Sequence, residues 1–146
     1  MNHIRKSFMF ITTKISKRSK IMNRRTAREK AMQILFQLDM NEQHITESLE
    51  HFIDDQPKNP YLTTLVEGVS KHIAHIDQTI HNNLEHWSLD RVATVEKTLL
   101  RIATFEIKYL DDIPEHVSIN EAVELAKKYG EEKSGSFVNG VLSKLI

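Results

Sequence analysis

Apolar residues recur along the chain with the spacing of helical faces, and no pair of segments carries a β-hairpin signal. Ala27, Ala31, Ile34, Leu35 and Leu38 follow i, i+4, i+7, i+8, i+11 and predict a first helix from about Asn23 to Met40. Its opposite and N-terminal surfaces carry Arg24, Arg25, Arg28 and Lys30. Ile45, Leu49, Phe52 and Ile53 mark a short second helix that closes before Pro57, because proline disfavours helical geometry in the residue preceding it. Pro60 suits the first turn of a third helix, in which Leu62, Leu65, Val66, Val69, Ile73, Ile76, Ile80 and Leu84 hold the period. A bend is expected near Gly68.

Ser88 or Asp90 can cap a fourth helix running through about Asp111. Val92, Val95, Leu99, Leu100, Ile102, Ala103, Phe105 and Ile107 make it apolar on most sides, which predicts a central position. After Pro114, Ser118-Ile119-Asn120-Glu121 fits the S-x-x-E capping box, with Val117 and Ala122 placed as its hydrophobic staple. Ala122, Leu125, Ala126 and Tyr129 form the buried stripe of that fifth helix, and Gly130 offers the left-handed residue that commonly ends one. Ser134 can cap the last helix, where Phe137, Val138, Val141, Leu142 and Leu145 supply the apolar face. Gly140 within it costs about 1 kcal/mol against alanine, which makes sense if another backbone packs close. The pattern is that of an all-α, compact helical bundle, in two halves meeting at the central helix.

Composition narrows the class. The 146 residues suffice for one domain with a sizeable core, and with no cysteine a disulfide scaffold is excluded. Four glycines and three prolines are too few for a turn-rich β-sandwich. No run approaches the ~18 apolar residues that span a bilayer, so a membrane protein is excluded, and the absence of cysteine fits the reducing cytoplasm expected for this chain. The formal charge of zero conceals an asymmetry. Residues 1–21 hold six basic side chains and no acidic one, which leaves 14 basic against 20 acidic residues, a net of −6, for residues 22–146. The first stretch lacks a sustained apolar core and a small-residue cleavage site, so it reads as a basic flexible extension and not a secretory signal. Met22, directly before a capped helical pattern, offers a second start.

Catalytic constellations are absent: there is no cysteine nucleophile, no G-x-S-x-G elbow, no glycine-rich phosphate loop and no H-E-x-x-H helix. His72 and His75, three apart on one helix, can in principle share a metal, but no third ligand has a recognisable spacing and both fall on the polar side of the seam. Asp54-Asp55, Asp111-Asp112 and Glu131-Glu132 read as solvated helix ends and loops. No enzyme, metal or cofactor is expected. The cluster Arg24-Arg25-Thr26-Ala27-Arg28-Glu29-Lys30 is more suggestive. Three guanidinium forks near a helix N-terminus can chelate phosphate oxygens, aided by free N–H groups and the positive end of the dipole. The alternative is an ordinary solvated face. Phe137, close to a helix start beside small polar residues, is either a ring for base stacking or part of the core. Asn139 in the same helix and Arg101 within the apolar fourth helix are also unusual, since a guanidinium there must find a partner or reach a surface.

Four blocks, in order, then resemble the NusB transcription antitermination factors. They are Arg24-Arg25-Thr26-Ala27-Arg28-Glu29-Lys30-Ala31-Met32-Gln33-Ile34-Leu35-Phe36, Val95-Glu96-Lys97-Thr98-Leu99-Leu100-Arg101-Ile102-Ala103, Ile119-Asn120-Glu121-Ala122-Val123-Glu124-Leu125-Ala126-Lys127 and Phe137-Val138-Asn139-Gly140-Val141-Leu142. The last two are highly specific, and the resemblance covers residues 22–146. It implies about six to seven helices in two three-helix subdomains. It also implies binding of the single-stranded boxA element of nascent RNA together with NusE, a small-subunit ribosomal protein, inside an RNA polymerase antitermination complex that supports ribosomal RNA transcription. By the same resemblance Arg24, Arg25 and Arg28 contact phosphates, and Arg101, Phe137 and Asn139 lie at or near the RNA face. Glu96 matches an acidic position where RNA and partner meet. Lys133 stands where many relatives carry an acid and Ser136 where a base is frequent, so one positive charge is gained and one lost on that face.

Two other functions fit the same residues: a helical protein-binding adaptor, and a stand-alone RNA-recognition module related to the one fused to ribosomal RNA methyltransferases. A helix face buried in a bundle looks like one buried between copies, so a homodimer stays open.

Overall fold

The computed structural model describes residues 23–40 and 59–146. The expected basic extension and the short helix over Ile45 to Ile53 lie outside the described residues. What is described is helical: α1 (Arg24–Met40), α2 (Pro60–Lys71), α3 (Ile73–Asn82), α4 (Thr94–Tyr109), α5 (Glu115–Tyr129) and α6 (Ser134–Ser143), with a 3₁₀ turn at Leu89–Arg91. Among the described residues there is no strand. None of these helices is long and apolar enough to cross a membrane. Two units are distinguished, one up to Glu67 and the other Gly68–Ile146, with the division falling inside α2.

Among the described residues of the first unit both helices start on an asparagine. The Asn23 side-chain oxygen accepts the Thr26 N–H at 2.8 Å, and the Asn59 side chain accepts the Leu62 N–H at 3.0 Å. Each satisfies one of the donors a helix start leaves free. Pro60 then occupies the first helical position, where its missing N–H costs nothing. Ala27, Ala31, Ile34, Leu35 and Leu38 are buried as their spacing predicts. So are Met32, Phe36, Gln33, Arg28 and Lys30, so the middle of α1 is enclosed on nearly every side. The expected charged outer face of this helix is confined to its first turn.

The second unit is built around α4, which packs against α3, α5 and α6. Its Leu99, Leu100, Ile102, Ala103 and Phe105 are buried, which confirms the central position expected from an apolar pattern on most sides. α5 and α6 pack closely on each other. The long third helix of the sequence pattern is two helices, because the backbone leaves helical geometry at His72 (φ −106°, ψ 17°), four residues beyond Gly68. Gly68 has a different purpose. A Cβ there would lie 2.1 Å from Cζ of Phe105, so glycine is what lets the ring seat against the helix.

Several expected boundaries are corrected, among them that of α6, where Ser134 is the first helical residue behind Lys133 and not the cap. Ser118 does not cap α5: the helix begins at Glu115, and the Pro114 carbonyl accepts the Val117 and Ser118 N–H groups at 3.0 and 3.3 Å. Proline initiates the helix a turn earlier than the capping-box pattern implied, leaving Ser118 inside and buried with its Oγ unpartnered. Gly130 is extended (φ −95°, ψ −163°) and not left-handed. A Cβ there would meet Ser134 Oγ at 2.5 Å, the same oxygen that accepts the Glu131 N–H at 2.8 Å and ties the turn between α5 and α6. Neither Ser88 nor Asp90 caps α4, since the 3₁₀ turn intervenes and α4 begins only at Thr94.

Candidate nucleic-acid interface

In the first unit, α1 opens with two exposed guanidinium groups, Arg24 and Arg25, and no acidic residue in its first turn. That end therefore combines side-chain charge with the positive end of the helix dipole. Arg24 lies over the Tyr61 ring at 4.8 Å, and Arg28, one turn on, lies over the same ring at 5.6 Å. Residues four apart share a helix face, so one half-buried ring orients both forks by cation–π attraction. Arg28 itself is only 5% exposed, so the structure does not present three equivalent surface forks. Lys30 is 2% exposed, and desolvation lowers its ammonium from 10.5 to about 8.

The second unit holds the other expected residues. Lys133 is exposed just ahead of α6, and Ser136 and Asn139 are exposed along it. Phe137 is half-buried between them, while the neighbouring Val138 is fully buried. The helix thus turns Val138, Val141 and Leu142 inward and leaves Phe137 partly accessible, a position between core and surface. Ser136 and Phe137 line a cavity of about 250 Å³. Its other walls are Leu84, Trp87, Gly140 and Val141, with Glu85 and Lys144 at its rim. Lys144 Nζ donates to Glu85 at 2.9 Å and to the Asn83 carbonyl at 3.4 Å. That hydrogen bond, with the attraction of the ammonium behind it, holds the Glu85 carboxyl below its ordinary range.

Arg101 is not among the residues lining this cavity. Its Nε and one terminal nitrogen bind the two carboxylate oxygens of Asp77 at 2.8 and 2.9 Å, a bidentate pair joining α4 to α3. The guanidinium expected to need either a partner or a surface has found a partner. Glu96 is half-buried in the first turn of α4, where a carboxylate also complements the helix dipole. His72 and His75 both engage Tyr109. His72 stacks on Tyr109 at 4.2 Å, and His75 Nδ1 hydrogen-bonds the Tyr109 hydroxyl at 2.8 Å. Among the described residues no three histidine, aspartate or glutamate side chains converge on a metal site.

Trp87 and Gly140 are the site residues that sequence reasoning passed over or misread. Trp87 is 56% exposed, and its signal was available as the one tryptophan of the chain, set in the polar stretch Glu85-His86-Trp87-Ser88. Gly140 does not admit a neighbouring backbone: nothing lies within 4 Å of the position a Cβ would take. Its open side faces the cavity.

A profile described as the NusB family matches residues 25–146. The transcription antitermination protein NusB of Oceanobacillus iheyensis is 55% identical over 125 residues, covering 86% of this chain and 99% of the relative. The protein of the same name from Bacillus subtilis is 48% identical over 124 residues, covering 85% and 95%. Among solved structures, NusB of T. maritima superposes with a TM-score of 0.77 at 35% identity, covering 85% of this chain and 90% of that one. A complex of antitermination factors NusB and NusE with dsRNA gives a TM-score of 0.73 at 33% identity, covering 84% and 94%.

Proposed function

The chain belongs to the NusB family, and from that premise we propose that it is a transcription antitermination factor that binds boxA-type single-stranded RNA together with NusE. In this role it joins an RNA polymerase complex that carries ribosomal RNA synthesis past terminators, and it works in the cytoplasm, where that polymerase is. Its part is binding and not catalysis. The observation that carries the reading is the exposed row on α6, in which Lys133 shares the face of the half-buried Phe137 one turn later, Ser136 lies beside it and Asn139 is exposed farther round the helix. Such a row supplies what a single strand needs: a π-face for one base, hydrogen-bonding groups for its edges and a cation for the backbone.

Arg24 and Arg25 contribute the phosphate contacts in the first unit, and Arg28 acts from inside by steadying Tyr61 beneath Arg24. Arg101, paired with Asp77, holds α4 to α3 and acts on stability, not on the RNA directly. Glu96 faces the basic partner. Residues 22–146, with their net charge of −6, repel RNA on average. Binding therefore depends on local clusters, on a basic partner that offsets the acidic charge, and on the basic residues 1–21, which add attraction for a polyanion. The affinity of a labelled boxA-type oligoribonucleotide, measured over a range of salt concentrations with and without NusE, tests this. Affinity is expected to fall with salt, and Arg24→Ala with Arg25→Ala is expected to flatten the logarithmic slope by about 0.7 for each phosphate that is no longer neutralised. No binding by the parent protein in either condition would refute the reading.

A further inference from the structure

Resting on the RNA-binding reading, we infer that the cavity between Trp87 and Phe137 is a subsite for one nucleobase, with Trp87 as a base-contacting residue and Gly140 as the space it occupies. Four observations meet there. First, about 250 Å³ lies just under the range of roughly 300–1,000 Å³ that holds drug-sized ligands, which suits a single planar heterocycle better than a protein side chain with its backbone. Second, Trp87 keeps more than half of its surface in solvent although an apolar wall is at hand. A large indole left exposed at the mouth of a cavity is the common form of a stacking platform.

Third, a glycine in the interior of α6 is a helix-weakening choice, and the two usual structural reasons for it fail here. No neighbouring atom would clash with a Cβ, and no positive φ is present at the position. What the missing side chain does is leave space along the cavity wall, where Gly140 is exposed. Fourth, the rim tolerates a polyanion. Its one carboxylate, Glu85, is answered by Lys144 at 2.9 Å, and His86, 3.9 Å from the same carboxylate, adds positive charge when protonated. An aromatic base inserted between indole and phenyl rings covers both, while its ribose and phosphates stay outside near Lys144 and Ser136. A peptide-binding groove would instead show a longer apolar strip.

The single tryptophan makes the test direct. Titration of the full-length protein with a fluorescein-labelled boxA-type single strand is read both by anisotropy of the RNA and, with unlabelled RNA, by the intrinsic emission of Trp87. Stacking should quench that emission in step with the anisotropy change. Trp87→Ala should weaken binding about five- to a hundredfold, and Trp87→Phe should restore most of it. Gly140→Leu, which improves helix propensity and fills the cavity, should weaken binding to a similar degree while circular dichroism stays unchanged. An abasic nucleotide at the inserted position should weaken binding to the parent protein and add little to Trp87→Ala. If the parent protein binds RNA with unchanged tryptophan emission, and Trp87→Ala and Gly140→Leu bind within twofold of it, the subsite is refuted and the RNA-binding reading stands. If Trp87→Ala binds RNA normally but loses NusE, the cavity is a protein-docking surface and the inference is likewise overturned. If the parent protein binds no RNA with or without NusE, the reading beneath it fails as well.

Discussion

Arg101 distinguishes a structural guanidinium from an RNA-contacting one, and the two roles predict different outcomes for one pair of substitutions. Its side chain is 13% exposed and that of Asp77 29%, and their bidentate contact at 2.8 and 2.9 Å joins α4 to α3. Removing one member of a fully buried pair costs about 3–5 kcal/mol, whereas a surface pair is worth about 0–1 kcal/mol. Partial exposure places Asp77→Ala between these limits, at about 2 kcal/mol, because the guanidinium left behind is enclosed and keeps only limited access to water. Arg101→Ala should cost a similar amount, since its aliphatic stem also packs. The double variant should cost less than the sum, with a coupling of about 1–2 kcal/mol in urea unfolding. RNA affinity, measured under conditions where all variants are folded, should change little and by the same factor for both single variants. A tenfold or greater loss of RNA affinity for Arg101→Ala, with Asp77→Ala unaffected and no coupling in stability, would refute the structural role.

Lys30 gives a pH-dependent expectation. The folded state holds the proton less tightly, at about 8, than the unfolded chain does near 10.5, because burial disfavours the ammonium. Its contribution is therefore most unfavourable below pH 8, improves as pH rises from 8 to 10.5, and levels off above. Discounted for relaxation around the charge, Lys30→Met should stabilise the protein by about 1–2 kcal/mol at pH 7 and flatten that rise; equal urea midpoints for the two proteins at pH 7 would contradict this. Gly68→Ala should destabilise by about 1–2 kcal/mol in thermal unfolding despite alanine's better helix propensity. The reason is that its Cβ would fall 2.1 Å from the ring of Phe105, which is itself stacked on Tyr109 at 5.5 Å. Asn23→Ala should cost about 1 kcal/mol through loss of the Thr26 cap, and a melt indistinguishable from that of the parent would show that another group takes over that N–H.

Local signals carried the sequence a long way. The period of apolar residues placed α1 and α6 closely, proline located the start of α2, and the apolar pattern of α4 announced its central position. In the candidate interface, Arg24, Arg25, Phe137 and Asn139 could be singled out because residue type and nearness to a helix start are written in the chain, whereas Lys133 and Ser136 were named only through the family resemblance. What tertiary structure decided were matters of which distant groups meet. Arg28 and Lys30 looked like solvent-facing charges by type, yet packing enclosed both. Arg101 is satisfied by Asp77, 24 positions away, a separation that no helical period encodes. Ser118 matched a local capping rule that Pro114 pre-empted. The cavity of Trp87, Phe137 and Gly140 exists only because α6 folds back beside the loop after α3. Helix position follows from nearest-neighbour chemistry, whereas burial, pairing and empty space are properties of surfaces brought together, and those depend on the packing of the whole unit.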